Sequence, residues 1–220
     1  ADILTLIAAQ PIAPREQREE YLARSFAIYE TRTDEIVRLS RQGGKAYDAA
    51  LQAADLEVSP VLRTRMLRVL VAMLERIPSA DTTTQLGMWT RLCQQLNDSG
   101  TSEEVPALAE RILEAARGFS DNTLRKRWMG NGYVQLGLAR LALEEFDLAV
   151  TALREAVRYR AGSGWREWSA RSYLGEALTR VGQTAEGEAE LLDAYRGMVK
   201  TQPGHFRNDQ ARGRVEAFYA

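Results

Sequence analysis

Histidine and cysteine are almost missing from this 220-residue chain, which has one of each. A lone histidine excludes any site built from two histidines of a single chain, such as a zinc-protease motif or a di-iron bundle. A lone cysteine excludes an internal disulfide, so nothing calls for an oxidising compartment. Net charge is scarce too: 29 Lys and Arg stand against 30 Asp and Glu, a formal −1 at pH 7. That balance gives no electrostatic case for nucleic acid or an anionic membrane, both of which attract proteins through unpaired basic groups. Lysine is confined to Lys45, Lys126 and Lys200, and the other basic residues are all arginine, a bias that points to GC-rich coding and a bacterial origin. Ile3 to Ala9 is mostly apolar but short of the roughly 18 to 20 residues needed to cross a bilayer, and no basic segment precedes it, so neither a signal peptide nor a membrane span is expected there. The chain opens on Ala1 and not on Met, and is expected to be a processed or excised piece of something longer. A cytoplasmic location is expected, with the periplasm left open.

What is present reads as helices from end to end. The length suits one domain or two small ones. Pro11, Pro14, Pro60, Pro78, Pro106 and Pro203 each stand beside an expected helix boundary, and none falls between Pro106 and Pro203. From Pro14 onward, Leu22, Phe26, Tyr29, Ile36 and Leu39 recur at helical spacing, with Arg and Glu on the other side. Gly43-Gly44 stops that helix, and a shorter one is expected over 45–56. Ser59-Pro60 supplies an N-cap and a first-position proline for a third helix carrying Leu62, Met66, Leu70, Met73 and Ile77 on one face. Helices follow over 82–97 and 102–118, with Thr101 and Glu104 spaced for a capping box. No convincing period-two alternation occurs, so no β-sheet is expected.

The second half can be laid on itself at an offset of 38 residues. Leu136-Gly137-Leu138-Ala139 then matches Leu174-Gly175-Glu176-Ala177, and Ala149, Leu153 and Ala156 match Gly187, Leu191 and Ala194. The glycines let a neighbouring backbone approach, the small residues of the second helix accept it, and the leucine between them fills the groove. Trp128 and Trp165, 37 apart, precede their Leu-Gly pairs at nearly the same distance, whereas Trp89 follows its own pair.

These residues resemble the tetratricopeptide repeat family. Tyr133, Leu136, Gly137, Phe146, Ala149, Leu153 and Ala156 meet the family pattern, and Leu174, Gly175, Gly182, Gly187, Leu191 and Ala194 meet it again. Departures are Glu144 for the turn glycine of the first copy, Thr184 for the turn aromatic of the second, and Gly187 for alanine. The period exceeds the usual value of about 34, so the loop near 161–164 is long, as in kinesin-light-chain-like variants. A looser copy uses Leu86-Gly87 with Ala109, Leu113 and Ala116. The resemblance is clear over 128–200. It implies an all-α, right-handed solenoid of antiparallel helix hairpins forming one domain over 1–220: a divergent helical part over 1–80, a weak repeat over 82–118, repeats over 123–160 and 165–200, and a C-terminal capping helix over 205–219.

Candidate catalytic groups each have a plainer structural reading. His205 has Asp209 one turn on, yet no activated nucleophile adjoins it, and Gln-Pro-Gly-His reads as a turn. Gly43-Gly44-Lys45 lacks the upstream glycine and following hydroxyl of a phosphate loop. Ser163, between Gly162 and Gly164, lacks the spacing of a nucleophile elbow. Cys93 beside Leu92 is expected to be buried and inert. The pairs Glu19-Glu20, Glu103-Glu104 and Glu144-Glu145 point apart on a helix and read as solvated surface or dipole complements. The Arg125-Lys126-Arg127-Trp128 run couples basic charge to an aromatic, as an acidic peptide or phosphate site would, although a solvated helix face is favoured. Residues 1–110 carry 12 basic and 16 acidic groups, and residues 111–220 carry 17 and 14. No catalytic residue, metal site or cofactor is expected.

In the family, partner peptides lie in a groove lined by the first helices of successive repeats. The resemblance places Asn131, Val134, Leu138, Leu141 and Ala142 of one copy there, and Ser169, Ser172, Glu176, Thr179 and Arg180 of the next. Most are apolar or neutral, so a lysine- and arginine-rich clamp for a terminal carboxylate is not expected, and hydrophobic or mixed peptide recognition is. The resulting expectation is a non-catalytic scaffold or sensor module of a larger bacterial signalling protein, bound to a protein, a peptide or another domain of its own polypeptide, with self-association left open. The alternative is a solenoid that senses a small molecule held by Trp128, Trp165, Trp168 and Tyr173. An all-helical enzyme with scattered acid-base groups is the third reading.

Overall fold

The computed structural model describes residues 14–39, 51, 58–77, 80–204 and 206–220. Among them the chain is all-α, with nine α-helices, one 3-10 turn and no strand. No helix among these residues is long and apolar enough to cross a membrane. The helices are α1 (Arg15–Leu39), α2 (Pro60–Arg76), α3 (Thr82–Asp98), α4 (Val105–Arg117), α5 (Asn122–Ala142), α6 (Phe146–Arg160), α7 (Trp165–Arg180), α8 (Thr184–Thr201) and α9 (Phe206–Tyr219), with the 3-10 turn at Ser102–Glu104. The stop at Gly43-Gly44 and the short helix over 45–56 lie outside the described residues, as does His205.

Contacts divide the chain into two compact units, parted between Ser99 and Gly100. In the first, α1 packs on α2 and α2 on α3. Leu22, Phe26 and Tyr29 of α1 and Met66, Leu70 and Met73 of α2 are buried, as their spacing implies. α1 bends at Arg32, whose backbone leaves the helical region at φ −124°. Ser59 caps α2 by accepting a hydrogen bond from Leu62 N, with Pro60 in the first turn where its missing N–H costs nothing. Glu30 pairs with Arg65 and accepts a hydrogen bond from its Nε at 2.8 Å, and Glu19 accepts one from Ser59 N at 3.0 Å, so α1 holds the start of α2, while Asp34 pairs with Arg76 at its far end.

One local expectation fails. The Thr101 side chain makes no capping hydrogen bond, Ser102–Glu104 winds as a 3-10 turn, and Val105 N donates back to Ser102 O. Pro106 then starts α4 with an N–H already absent.

The second unit shows why the sequence repeats. α5 packs on α6, α6 on α7, and α7 on α8. A Cβ on Gly137 would stand 2.5 Å from Leu153 Cγ, and one on Gly175 would stand 2.7 Å from Leu191 Cγ, so the same glycine-leucine contact recurs 38 residues on. Gly175 approaches closer still: its Cβ would also meet Gly187 O and Leu191 N at 2.9 Å. That meeting of backbones accounts for Gly187, where the first copy has Ala149.

The connecting turns repeat bond for bond. Leu143 N donates to Ala139 O, Glu144 N to Leu141 O and Glu145 N to Arg140 O; Val181, Gly182 and Gln183 donate to Ala177, Thr179 and Leu178 in the same pattern. The last bond of each set spans six residues around a left-handed residue, the geometry that ends many helices. That residue is Gly182 at φ 80° in the second turn and Glu144 at φ 60° in the first. The fold therefore forces a conformation that disfavours a side chain by about 1 kcal/mol.

Gly175→Ala is expected to lower stability by about 2 kcal/mol, because backbone atoms would have to move. Gly213→Ala, in α9 with open space around it, is expected to raise stability by about 0.5–1 kcal/mol through helix propensity alone. Urea denaturation followed by circular dichroism separates the two, and equal effects would show that the close approach does not constrain α7 against α8. By the same measurement Glu144→Gly should gain roughly 0.5–1 kcal/mol, since glycine accepts the left-handed turn.

Candidate functional site

The residues assigned to a groove take up three different positions. Val134, Ser169 and Ser172 are buried. Val134 packs with Ala156 and Ala170, and half-buried Leu138 lies against the same cluster. Leu141 packs on Ala149, Leu153, Leu174 and Leu178, while Ala142 is exposed. Asn131 accepts a hydrogen bond from Arg160 Nη2 at 2.9 Å. Glu176 accepts one from Arg214 Nε at 2.9 Å, and the Arg214 guanidinium lies 4.1 Å from the Tyr173 ring centroid. Thr179 donates to Gly175 O, and exposed Arg180 lies 5.2 Å over the Phe146 ring. Glu176, Thr179 and Arg180 share the wall of a cavity of about 320 Å³ with Arg214, Ala217 and Phe218, so α9 lies beside the assigned face of α7.

The aromatic side chains considered for a ligand pocket are engaged separately. Trp128 is buried. Trp165 has the Arg166 and Arg207 guanidiniums over its ring, at 5.0 and 4.9 Å from the centroid. Trp168 sits against Gly197, where a Cβ would come within 2.2 Å of the ring. Tyr173 lies under Arg214.

A different constellation forms where the first turns of α5 and α7 meet the end of α6. A cavity of about 410 Å³ is lined there by Lys126 and Arg127 of α5, Arg160 of α6 and Arg166 of α7, with Asn131 and Tyr159 beside them. Local sequence explains each placement. Asp121 caps α5 through Thr123 N and Leu124 N, which starts the helix just before the basic run. Gly130 leaves room on α5 for the Arg160 stem, since a Cβ would come within 2.9 Å of Arg160 Cγ. Gly162 and Gly164, both at positive φ, turn the chain tightly enough to bring Arg166 back to the same cavity. Ser163 donates to Arg160 O in that turn, which is its role in place of a nucleophile's.

Arg160 is the most perturbed group in this constellation. Its Nη1 donates to Arg166 O at 3.3 Å and its Nη2 to Asn131, while Nε is shut off from solvent without a partner. Burial first, then the positive charges of Arg166 and Arg207, push its pKa down to about 10. The basic run read from the sequence supplies two of the four cations. Arg160 and Arg166 were missed because they lie far along the chain and only the long loop over 161–164 hinted at a built corner.

Other chemical candidates resolve into structure. Glu19 and Glu20 bind different partners, Arg15 and Arg24, and do not converge. Among the described residues no group of three metal-ligating side chains comes together. Cys93 is buried, and burial pushes its thiol up to about 12. No protein-family model matches the chain, and no curated protein matches it.

A thiol reagent at pH 8 is expected to leave native Cys93 unlabelled, because the reactive thiolate is scarce and covered, and to label it fully in concentrated urea. Rapid native labelling would show that α3 opens readily.

Proposed function

We propose that the chain is a non-catalytic contact module, in which residues 100–220 form a tetratricopeptide-like, right-handed stack of antiparallel helix hairpins. It serves a protein or peptide partner, or another domain of the same polypeptide, within a bacterial signalling protein. The observation that carries this reading is the double recurrence at 38 residues: the Gly137–Leu153 and Gly175–Leu191 contacts, and the two connecting turns with the same hydrogen bonds. A unit that reuses one packing solution extends by stacking, and stacked helix pairs expose long surfaces suited to binding extended partners. On this reading the accessible part of the partner face is Leu138, Ala142, Glu176 and Arg180, because Val134, Ser169 and Ser172 are buried.

Affinity capture with the full chain from extracts of its own cells is expected to recover a discrete partner. The double variant Leu138→Ser and Arg180→Glu avoids the fully buried contacts and should weaken that capture about tenfold, a loss near 1.4 kcal/mol, with an unchanged circular dichroism spectrum. Undiminished capture would move the partner to another face, and no discrete partner at all would count against the module.

A further inference from the structure

We propose that the recess between α5, α6 and α7 binds a small phosphate-bearing molecule, held by Lys126, Arg127, Arg160 and Arg166. The inference uses the geometry of that corner alone and does not depend on the repeat family or on a protein partner.

Four cationic side chains line one cavity of about 410 Å³, and no carboxylate lines it with them. Several arginines elsewhere in the same unit are matched by carboxylates, Arg171 with Glu167 and Glu190, Arg214 with Glu176, Arg154 with Glu186 and Arg140 with Glu145, while Arg125 bonds Phe119 O and Asn122 and Arg180 lies over the Phe146 ring. None of the four recess cations makes an ion pair among the described residues. The two carboxylates closest in sequence are already committed. Asp121 caps α5, and Glu167 accepts from Gly162 N at 2.7 Å and from Arg171 Nε at 3.3 Å.

Like charges gathered in a partly desolvated corner repel one another, and burial adds to that penalty. An anion in the cavity reverses the sign of the interaction. Arg160 is fixed to receive it. Its stem is seated over Gly130, and Asn131 and the Arg166 carbonyl orient two of its N–H groups, which leaves one on each terminal nitrogen. The first turns of α5 and α7 also border the recess, so both helix dipoles present their positive ends to it.

Charge and oxygen count favour phosphate over a carboxylate. A phosphate monoester brings about −1.5 to −2 at neutral pH and three strong acceptor oxygens, matched here by donors from three separate helices. A monocarboxylate brings one charge and two oxygens. A cavity of this size lies within the ~300–1,000 Å³ typical of small-molecule sites, and the near-neutral chain offers no extended basic surface for a nucleic acid.

Calorimetric titration of the full chain with pyrophosphate and with inorganic phosphate, at physiological ionic strength, tests the assignment, with succinate as the carboxylate probe. Pyrophosphate is expected to bind saturably and to raise the melting temperature, and succinate to bind at least tenfold more weakly. Lys126→Gln and Arg166→Gln, at exposed and rim positions, should each weaken pyrophosphate binding about tenfold, while Arg212→Gln on α9 leaves it unchanged. Arg160→Gln should abolish it, and the two rim variants decide the matter if that protein does not fold. No saturable binding of either phosphate, affinity untouched by both rim variants, or tighter binding of succinate than of pyrophosphate would each overturn the proposal.

Discussion

At Gly137 and Gly175 a helix in the second unit comes so close to the next that no side-chain atom fits between them, and the rest of that unit is arranged around the constraint. A single leucine, Leu153 or Leu191, occupies the space a Cβ would have taken. The small residues Ala149, Ala156, Gly187 and Ala194 are buried beside it because anything larger would push the axes apart. Since the helices of each pair are pinned at this point, the turn joining them must be short and must reverse within three residues. That is why both turns use the same hydrogen bonds and the same left-handed residue, even where the sequence supplies Glu144 in place of glycine.

The connection from one pair to the next is under no such constraint. Between Arg160 and Trp165 the chain turns with Gly162 and Gly164 at positive φ, and Ala161, Gly162 and Ser163 of this turn line the recess. The end of α6 packs on α5 at Gly130, and the cationic side chains of Lys126, Arg127, Arg160 and Arg166 line the recess beside that contact. The passage from α6 to α7 therefore has two parts: an apolar contact of Ala149, Val150 and Leu153 with Leu174, Ala177 and Leu178, and a charged recess at the end of α6.

Sequence reading captured the first of these regions well, because a 38-residue offset places glycine against leucine without any knowledge of three-dimensional position. Helix boundaries at Ser59-Pro60 and at the start of α3 were legible for a similar reason, as caps are local chemistry. The side-chain cap expected of Thr101 was not, since its spacing to Glu104 fits an α first turn whereas the chain winds Ser102–Glu104 as a 3-10 turn. The groove residues were harder still. Resemblance assigns a helix face but does not say what lies on it, and here Ala170 covers Val134 while Arg214 lies on Glu176. Arg160 and Arg166 gave no pattern at all: their partnership with Lys126 and Arg127 exists only once the end of α6 is packed against α5.

That partnership also explains the change of charge along the sequence. Residues 111–220 hold 17 basic groups against 14 acidic ones, an imbalance that would mean little if spread evenly over a solvated surface. It is not spread evenly. Arg140, Arg154, Arg171 and Arg214 each meet a carboxylate of their own unit, and Arg117, Arg158, Arg196 and Arg212 meet one within a turn of their own helix. The recess holds four basic groups with no carboxylate among its lining residues, so it carries more positive charge than the whole half carries net. A modest excess in the composition is therefore concentrated at one corner, where exposed Lys126, Arg127 and Arg166 surround the largely buried Arg160 and two helix N-termini add to the positive potential.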